Sequence, residues 1–401
     1  MNIKIIPKEA GSTCYPLDKD LVLIIHERQL AYTPDEGVIP FRQVDYYILH
    51  TDTNVRESIL PDIRKFMVAK LHFCEKKVTR LYFYYLEYTA YPLVTFVLFS
   101  YNLADHSCME VMRYEDDVRK YEKERKPEIF ALSNNYFLMQ TQLLTANLRD
   151  TYKGYIDFEL FLYDLKNRMR YDIRDNRLTS GGIMQLEPVA ANVCAIRLGY
   201  SLAEDNRILH LMKKEAAEEF IGLITVSGFI SEIMLGLPVF TMEYIDEVYF
   251  DRTLTHFTRQ GKYIIYSRVN TDDLSQEIIF YDYVKKDTLV VANKNPYNED
   301  DIIPCVLNRL PYLIRRKKKF FDFFCIRKNK VTHRLPSDVK IAELMNDFLA
   351  IRVRKKSLLG TGDEFFEFYR FSDMSRLCRE KVVSEQCIQN GPGDILIFIE
   401  E

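Results

Sequence analysis

Residues 315–330 read RRKKKFFDFFCIRKNK: five cations in a row, four phenylalanines around one aspartate, then three further cations. Such a mixture supplies charge for phosphates or carboxylates and flat rings for bases. Strand alternation gives the rings a competing role. Phe320 and Asp322 face one way and Phe321 and Phe323 the other, so both faces are apolar enough to be covered by neighbouring layers. Phe321 and its neighbours are therefore expected in the core, with a hairpin turn at 327–330. Arg315, Arg316, Lys317, Lys318 and Lys319 are left as the candidate partner-binding residues. They either bind an anionic partner or keep one face soluble.

Other chemistry has weaker support. The seven histidines (His26, His50, His72, His106, His210, His256, His333) are scattered, with no HExxH spacing. The sequence contains no Gly-x-Ser-x-Gly, no phosphate-binding glycine loop and no GxGxxG. Ser180-Gly181-Gly182 is a turn too short to cradle a phosphate. Acidic clusters at Asp116-Asp117, Glu299-Asp300-Asp301 and Asp363-Glu364 read as solvated loop surface, so no catalytic residue is assigned. None of the eight cysteines forms a Cys-x-x-Cys pair or lies near a histidine at zinc spacing. No metal or cofactor is expected.

Composition sets the frame around these residues. The 401-residue chain is 47% hydrophobic and 28% charged, as a folded soluble protein should be. A net charge of −3 supplies no whole-protein field, so any anionic partner must be met by a local patch. The first residues do not form a signal peptide, and reduced thiols in the cytoplasm are the expectation. The apolar run 220–240 carries Glu232 centrally and is broken by Gly222, Gly228, Gly236 and Pro238. It reads as two buried strands, or a strand and a core helix, rather than a membrane span.

Abundant Tyr (27) and Phe (26) with only 14 Gly lean the chain towards β structure. Strand-like runs include 21–33, 45–50, 81–89, 93–101, 262–269 and 277–283. Helical spacing is expected at 61–71, 114–126 and 203–220. Five stretches share one pattern: FELFLYDLKNRMRYDI from 158, EIIFYDYVKKDTLVVAN from 277, FFDFFCIRKNKVTHRL from 320, FEFYRFSDMSRLCREK from 366, and a longer version from 93. Each has an alternating apolar strand, a short polar turn and a more polar strand, which is a hairpin with one wet edge. Steps of 42 and 46 residues between equivalent positions mark a repeat architecture.

Those hairpins, with Tyr163-Asp164, Tyr281-Asp282 and Ser372-Asp373 at their turns, resemble the blades of WD-repeat-like β-propeller proteins. The resemblance implies an all-β fold of six or seven blades with a few helical insertions. Residues 1–401 would form a single domain, with an irregular region at about 184–255 that does not fit the period. The strand at 394–400 would close a blade with 4–6 or 21–25, leaving no free edge. The expected function is a non-enzymatic platform for a protein or peptide partner. The alternatives are a hydrolase or lyase site at the channel mouth, and nucleic-acid binding through the basic patch.

Overall fold

The computed structural model describes residues 2–8, 12–18, 20–29, 42–59, 67–68, 70–73, 79–90, 92–121, 127–142, 158–175, 178, 182–199, 219–248, 252–270, 272–293, 302–317, 320–336, 340–345, 348–354, 364–381, 386–391 and 394–400. The fold is all-β, a seven-bladed β-propeller arrangement of small sheets. Sheets 1 to 7 take their strands from 12–58, from 67–68 with 80–117, from 70–73 with 128–172, and from 183–248, 252–293, 302–336 and 340–381; neighbouring strands in them are antiparallel except Lys70–Phe73, which is parallel to Glu128–Ser133. An additional three-stranded sheet joins the chain ends. In it Asn2–Lys8 runs parallel to Asp394–Glu400, which also pairs antiparallel with Gln386–Gly391. The strand 394–400 is thus paired on both sides; of its two expected partners it takes 4–6, while 21–25 lies in sheet 1, and the three strands form a sheet of their own rather than completing one of the seven.

By contacts the chain forms two compact units, Gly11–Phe250 and Met1–Ala10 with Asp251–Glu401. The first contains sheets 1 to 4, and period-two alternation explains their packing. In Arg80–Ala90 of sheet 2, Leu81, Phe83 and Tyr85 pack against Leu23, Ile25 and Ile48 of sheet 1. Tyr82 and Tyr84 point the other way, onto Ile129, Phe137 and Phe161 of sheet 3. A strand covered on both faces must be apolar at every position, and LYFYYL is. Sheets 3 and 4 close over Leu138, Leu160, Leu162, Leu186 and Ile196.

Sheet 4 consists of Ile183–Ala190, Val193–Leu198, Glu219–Thr225 and Glu243–Val248. Residues 200–218 separate its second and third strands, and a helix, Val226–Met234, separates its third and fourth. These two insertions explain why 184–255 departs from the period. The helix sinks Val226, Phe229, Ile230 and Ile233 into the core between sheets 3 and 4. The apolar run 220–240 is therefore a strand followed by a core helix. No helix among the described residues is long and apolar enough to cross a membrane.

The helical expectations at 61–71 and 114–126 give way to strands. Lys70–Phe73 lies parallel to Glu128–Ser133, so tertiary pairing overrides its local helical spacing. Met67–Val68 likewise pairs with Phe83 and Tyr84. Tyr114 to Asp117 end the strand Cys108–Asp117, opposite Leu93 to Phe96, and a short 3-10 turn follows at Val118–Tyr121. Residues 61–66, 122–126 and 203–218 lie outside the described residues. Glu219 and Phe220 begin a strand.

Five of the hairpins use one backbone solution. Four-residue turns at 51–54, 165–168, 283–286, 326–329 and 371–374 each end in a left-handed residue: Asn54, Arg168, Lys286, Asn329 and Met374, with φ between 50° and 56°. The turn in sheet 6 starts at Ile326, one residue earlier than expected. Asp164 and Asp282 are fully buried at the entry to such turns. Asp164 accepts from the backbone N–H of Lys166 (2.9 Å) and Asn167 (3.0 Å) and from the Asn167 amide (2.8 Å). Asp282 accepts from the Val284 and Lys285 N–H groups and pairs with Lys262. The aspartates of the repeated Tyr-Asp pairs therefore build turns.

Burial raises the pKa of both carboxyls, but the hydrogen bonds outweigh it and hold them below the usual range. An unfolded aspartate titrates at about 3.9, so this stabilisation is complete above that pH and is lost as the pH falls through the lower folded value. Asp164→Ala is expected to destabilise the protein by about 1–2 kcal/mol at neutral pH, with a smaller difference from wild type in acid. Urea midpoints at neutral and acidic pH check this; a difference that stays constant with pH would contradict it.

Candidate interaction surface

Sheet 6 contains Ile302–Leu307, Leu310–Arg316, Phe320–Cys325 and Lys330–Pro336. Its second strand runs from a buried interior, Pro311 to Ile314, to half-buried Arg315 and exposed Arg316; exposed Lys317 follows. The Lys317 N–H donates to the Phe320 carbonyl (2.8 Å), so the strand end turns back tightly into the third strand. Lys318 and Lys319 lie outside the described residues. Arg315, Arg316 and Lys317 are thus brought together at the connection between second and third strands, with no ion pair among the described residues.

The aromatic half of the motif takes the other role. Phe321, Phe323 and Cys325 are buried between sheets 6 and 7, against Leu349, Ile351 and Phe371. Phe320 and Phe324 are half-buried, and each ring lies under a guanidinium of the same sheet. Arg334 is 4.8 Å from the Phe320 centroid, and Arg315 is 4.0 Å from that of Phe324. These contacts occupy the ring faces that a base would stack on. Asp322, the lone acid of the motif, is buried and accepts from Arg334 Nε at 2.9 Å. Arg334 was not singled out in the sequence, although strand pairing places it directly opposite Asp322.

Charge is concentrated around this sheet. Residues 309–356 carry 15 Lys and Arg against 4 Asp and Glu, a net of +11 in a chain whose total is −3. The remaining residues therefore sum to −14. Sheet 5 marks where the excess stops: Arg252 and Arg268 are both held by Glu277, at 3.4 and 3.3 Å.

Several other titratable clusters join neighbouring sheets. Glu57 of sheet 1 lies 2.9 Å from His106 Nδ1 of sheet 2 and 3.4 Å from His50 Nε2. The Tyr101 hydroxyl sits 3.0 Å from the same His106 nitrogen. Burial, then the charges of Glu57, Cys108 and Asp105, raise the Tyr101 pKa, so its proton stays in place. Asp116 is half-buried on a strand rather than on a solvated loop. It accepts from the Tyr121 hydroxyl (2.6 Å) and pairs with Lys120 (2.7 Å). Lys120 also reaches Glu159 of sheet 3, which in turn holds Arg170. Residues 299–301 and Asp363 lie outside the described residues, and Glu364 starts a strand. Among the described residues no group of three His, Cys, Asp or Glu side chains is placed to hold a metal ion.

Six of the eight cysteines have their burial described. Cys14, Cys194, Cys305 and Cys325 are buried, Cys378 is half-buried and Cys108 is exposed. Burial pushes the Cys305 thiol pKa up. Alkylation of the native protein is expected to modify Cys108 well before Cys305. Equal rates at the two, read by peptide mapping, would contradict the packing between sheets 6 and 7.

The sequence matches no protein-family model and no curated protein. Among solved structures, the chain is similar to the oligogalacturonate lyase of Vibrio parahaemolyticus (10% identity, 90% of this chain and 89% of that one, TM-score 0.41). It is also similar to a prolyl endopeptidase (10% identity, 90% and 54%, TM-score 0.43) and to the acylaminoacyl peptidase of Pyrococcus horikoshii (9% identity, 89% and 51%, TM-score 0.41). Likenesses at this level assign no activity to the chain.

Proposed function

We propose that the protein is a non-enzymatic interaction platform, working in the cytoplasm, that binds an acidic protein or peptide partner through Arg315, Arg316, Lys317, Lys318 and Lys319. One observation carries this reading. Exposed Arg316 and Lys317 stand at the end of a strand whose residues 311–314 are buried, while Asp322, paired across the strands with Arg315, is committed to Arg334. Cations held on a rigid support present their charge at small entropic cost, which favours recognition. The neighbouring rings are covered, so bases gain no stacking platform there.

Fluorescence anisotropy of a labelled acidic polypeptide against the full-length protein tests the proposal. Saturable binding at low salt, with none of a basic polypeptide of equal length, is the expected result. Failure of the acidic polypeptide to bind would overturn it.

A further inference from the structure

The helix Val226–Met234 of sheet 4 runs into an apolar loop, LGLPV, at 235–239. Leu235 is 76% exposed, Leu237 42% and Val239 59%. Singly scattered apolar residues are ordinary, but three exposed in one five-residue loop mark an interaction site.

The loop is held at both ends. The Gly236 N–H donates to the Ile233 carbonyl (2.8 Å) and the Leu237 N–H to that of Glu232 (3.1 Å), the two bonds of a Schellman closure. Gly236 takes the left-handed φ of 67° that this closure uses. At the far end the Phe240 N–H donates to buried Asp175 (3.0 Å), and the Phe240 ring packs edge-on against Phe229 at 4.8 Å. The Thr241 N–H and hydroxyl donate to the two Glu232 oxygens, at 2.7 and 2.6 Å. Pro238 fixes one further backbone angle. The three aliphatic side chains are thus presented from a fixed backbone, so docking on them orders little chain.

Charge selects the partner. Residues 219–248, all of them described, contain no Lys, Arg or His. Glu243 and Glu247 are exposed on the outer strand of the sheet. Glu243 stands two residues beyond Thr241, about 7 Å along an extended backbone. On the other flank Leu237 borders a cleft with Asp172, Asp175 and Glu232, against a single base, Arg174. Arg170 also reaches Asp172 (2.7 Å) but is shared with Glu159 (3.0 Å). Acid is therefore in excess around the apolar loop.

We infer that 235–239 is a docking site for a partner polypeptide segment whose aliphatic side chains are flanked by Lys or Arg. An apolar centre inside a charged rim is the ordinary build of an interface. The site is independent of the role proposed for 315–319, which takes a partner of opposite charge. A second copy docked through the same loop would bring two acidic rims together, which like charges oppose. An anionic lipid surface meets the same repulsion.

The test is fluorescence anisotropy of a labelled peptide, three central leucines with two lysines at each end, titrated with the full-length protein. Saturable binding is expected, and little with serine in place of leucine. Leu235→Ser/Leu237→Ser/Val239→Ser is expected to weaken binding about tenfold and Glu243→Gln about threefold. A labelled decaglutamate peptide should bind both variants as it binds wild type. If the triple variant fails to fold, Leu235→Ser alone, at the most exposed position, gives the same reading at smaller amplitude. Wild-type affinity in the loop variants, equal binding of the serine peptide, or an equal loss of both labelled peptides would overturn the site. Self-association in sedimentation equilibrium that Leu235→Ser abolishes would overturn the partner in favour of a second copy. Decaglutamate that fails to bind wild type would overturn only the role of 315–319.

Discussion

Phe323→Ala is expected to destabilise the protein by about 3–5 kcal/mol, the range for emptying a phenylalanine site in a core that cannot collapse. Phe323 is fully buried, pairs with Ile314 on the neighbouring strand and touches Phe371 of the next sheet at 5.6 Å. Removing the ring opens a void between two sheets whose backbones are fixed by their own hydrogen-bond ladders, so relaxation is limited. Phe321→Ala belongs to the same class, at 7% exposed. Phe320→Ala is the control, because that ring is half-buried beneath Arg334 and should matter less. Urea denaturation reads all three. A Phe323→Ala protein with an unchanged midpoint and lost partner binding would mean that the rings are the recognition surface.

The second large effect is on binding and has the opposite profile. Lys317→Gln/Lys318→Gln/Lys319→Gln removes three of five consecutive cations. Affinity for an acidic polypeptide should fall at least tenfold and its salt dependence should flatten, because fewer screened contacts remain. Stability should change by less than about 1 kcal/mol, since exposed charges contribute little to folding. Together the two variants separate core from surface within sixteen adjacent residues. A triple variant that unfolds, with affinity unchanged in the folded fraction, would reverse the assignment.

The repeated hairpins were legible because strands covered on both faces carry apolar residues at every position, as in LYFYYL, while outer strands alternate. Turn chemistry was equally plain at Tyr163-Asp164 and Tyr281-Asp282, where a short acid can satisfy backbone N–H groups of the following turn. The helices were not. Residues 61–71 have helical spacing in sequence, and only the distant pairing of Lys70–Phe73 with Glu128–Ser133 makes that stretch a strand. Sheet 4 hid its membership because a helix and a long connection interrupt its spacing. In the candidate site, Arg315 to Lys319 stood out as a run, but Arg334 reaches Asp322 across a strand pair that sequence adjacency does not show.

The most direct measurement is the affinity of the full-length protein for an acidic polypeptide across a salt series. A run of five consecutive cations as the docking site predicts a linear, steep fall of log affinity with log salt, with tight binding only at low ionic strength. Affinity that is absent at low salt, or that does not change as salt rises, would contradict an electrostatic docking surface at Arg315 to Lys319.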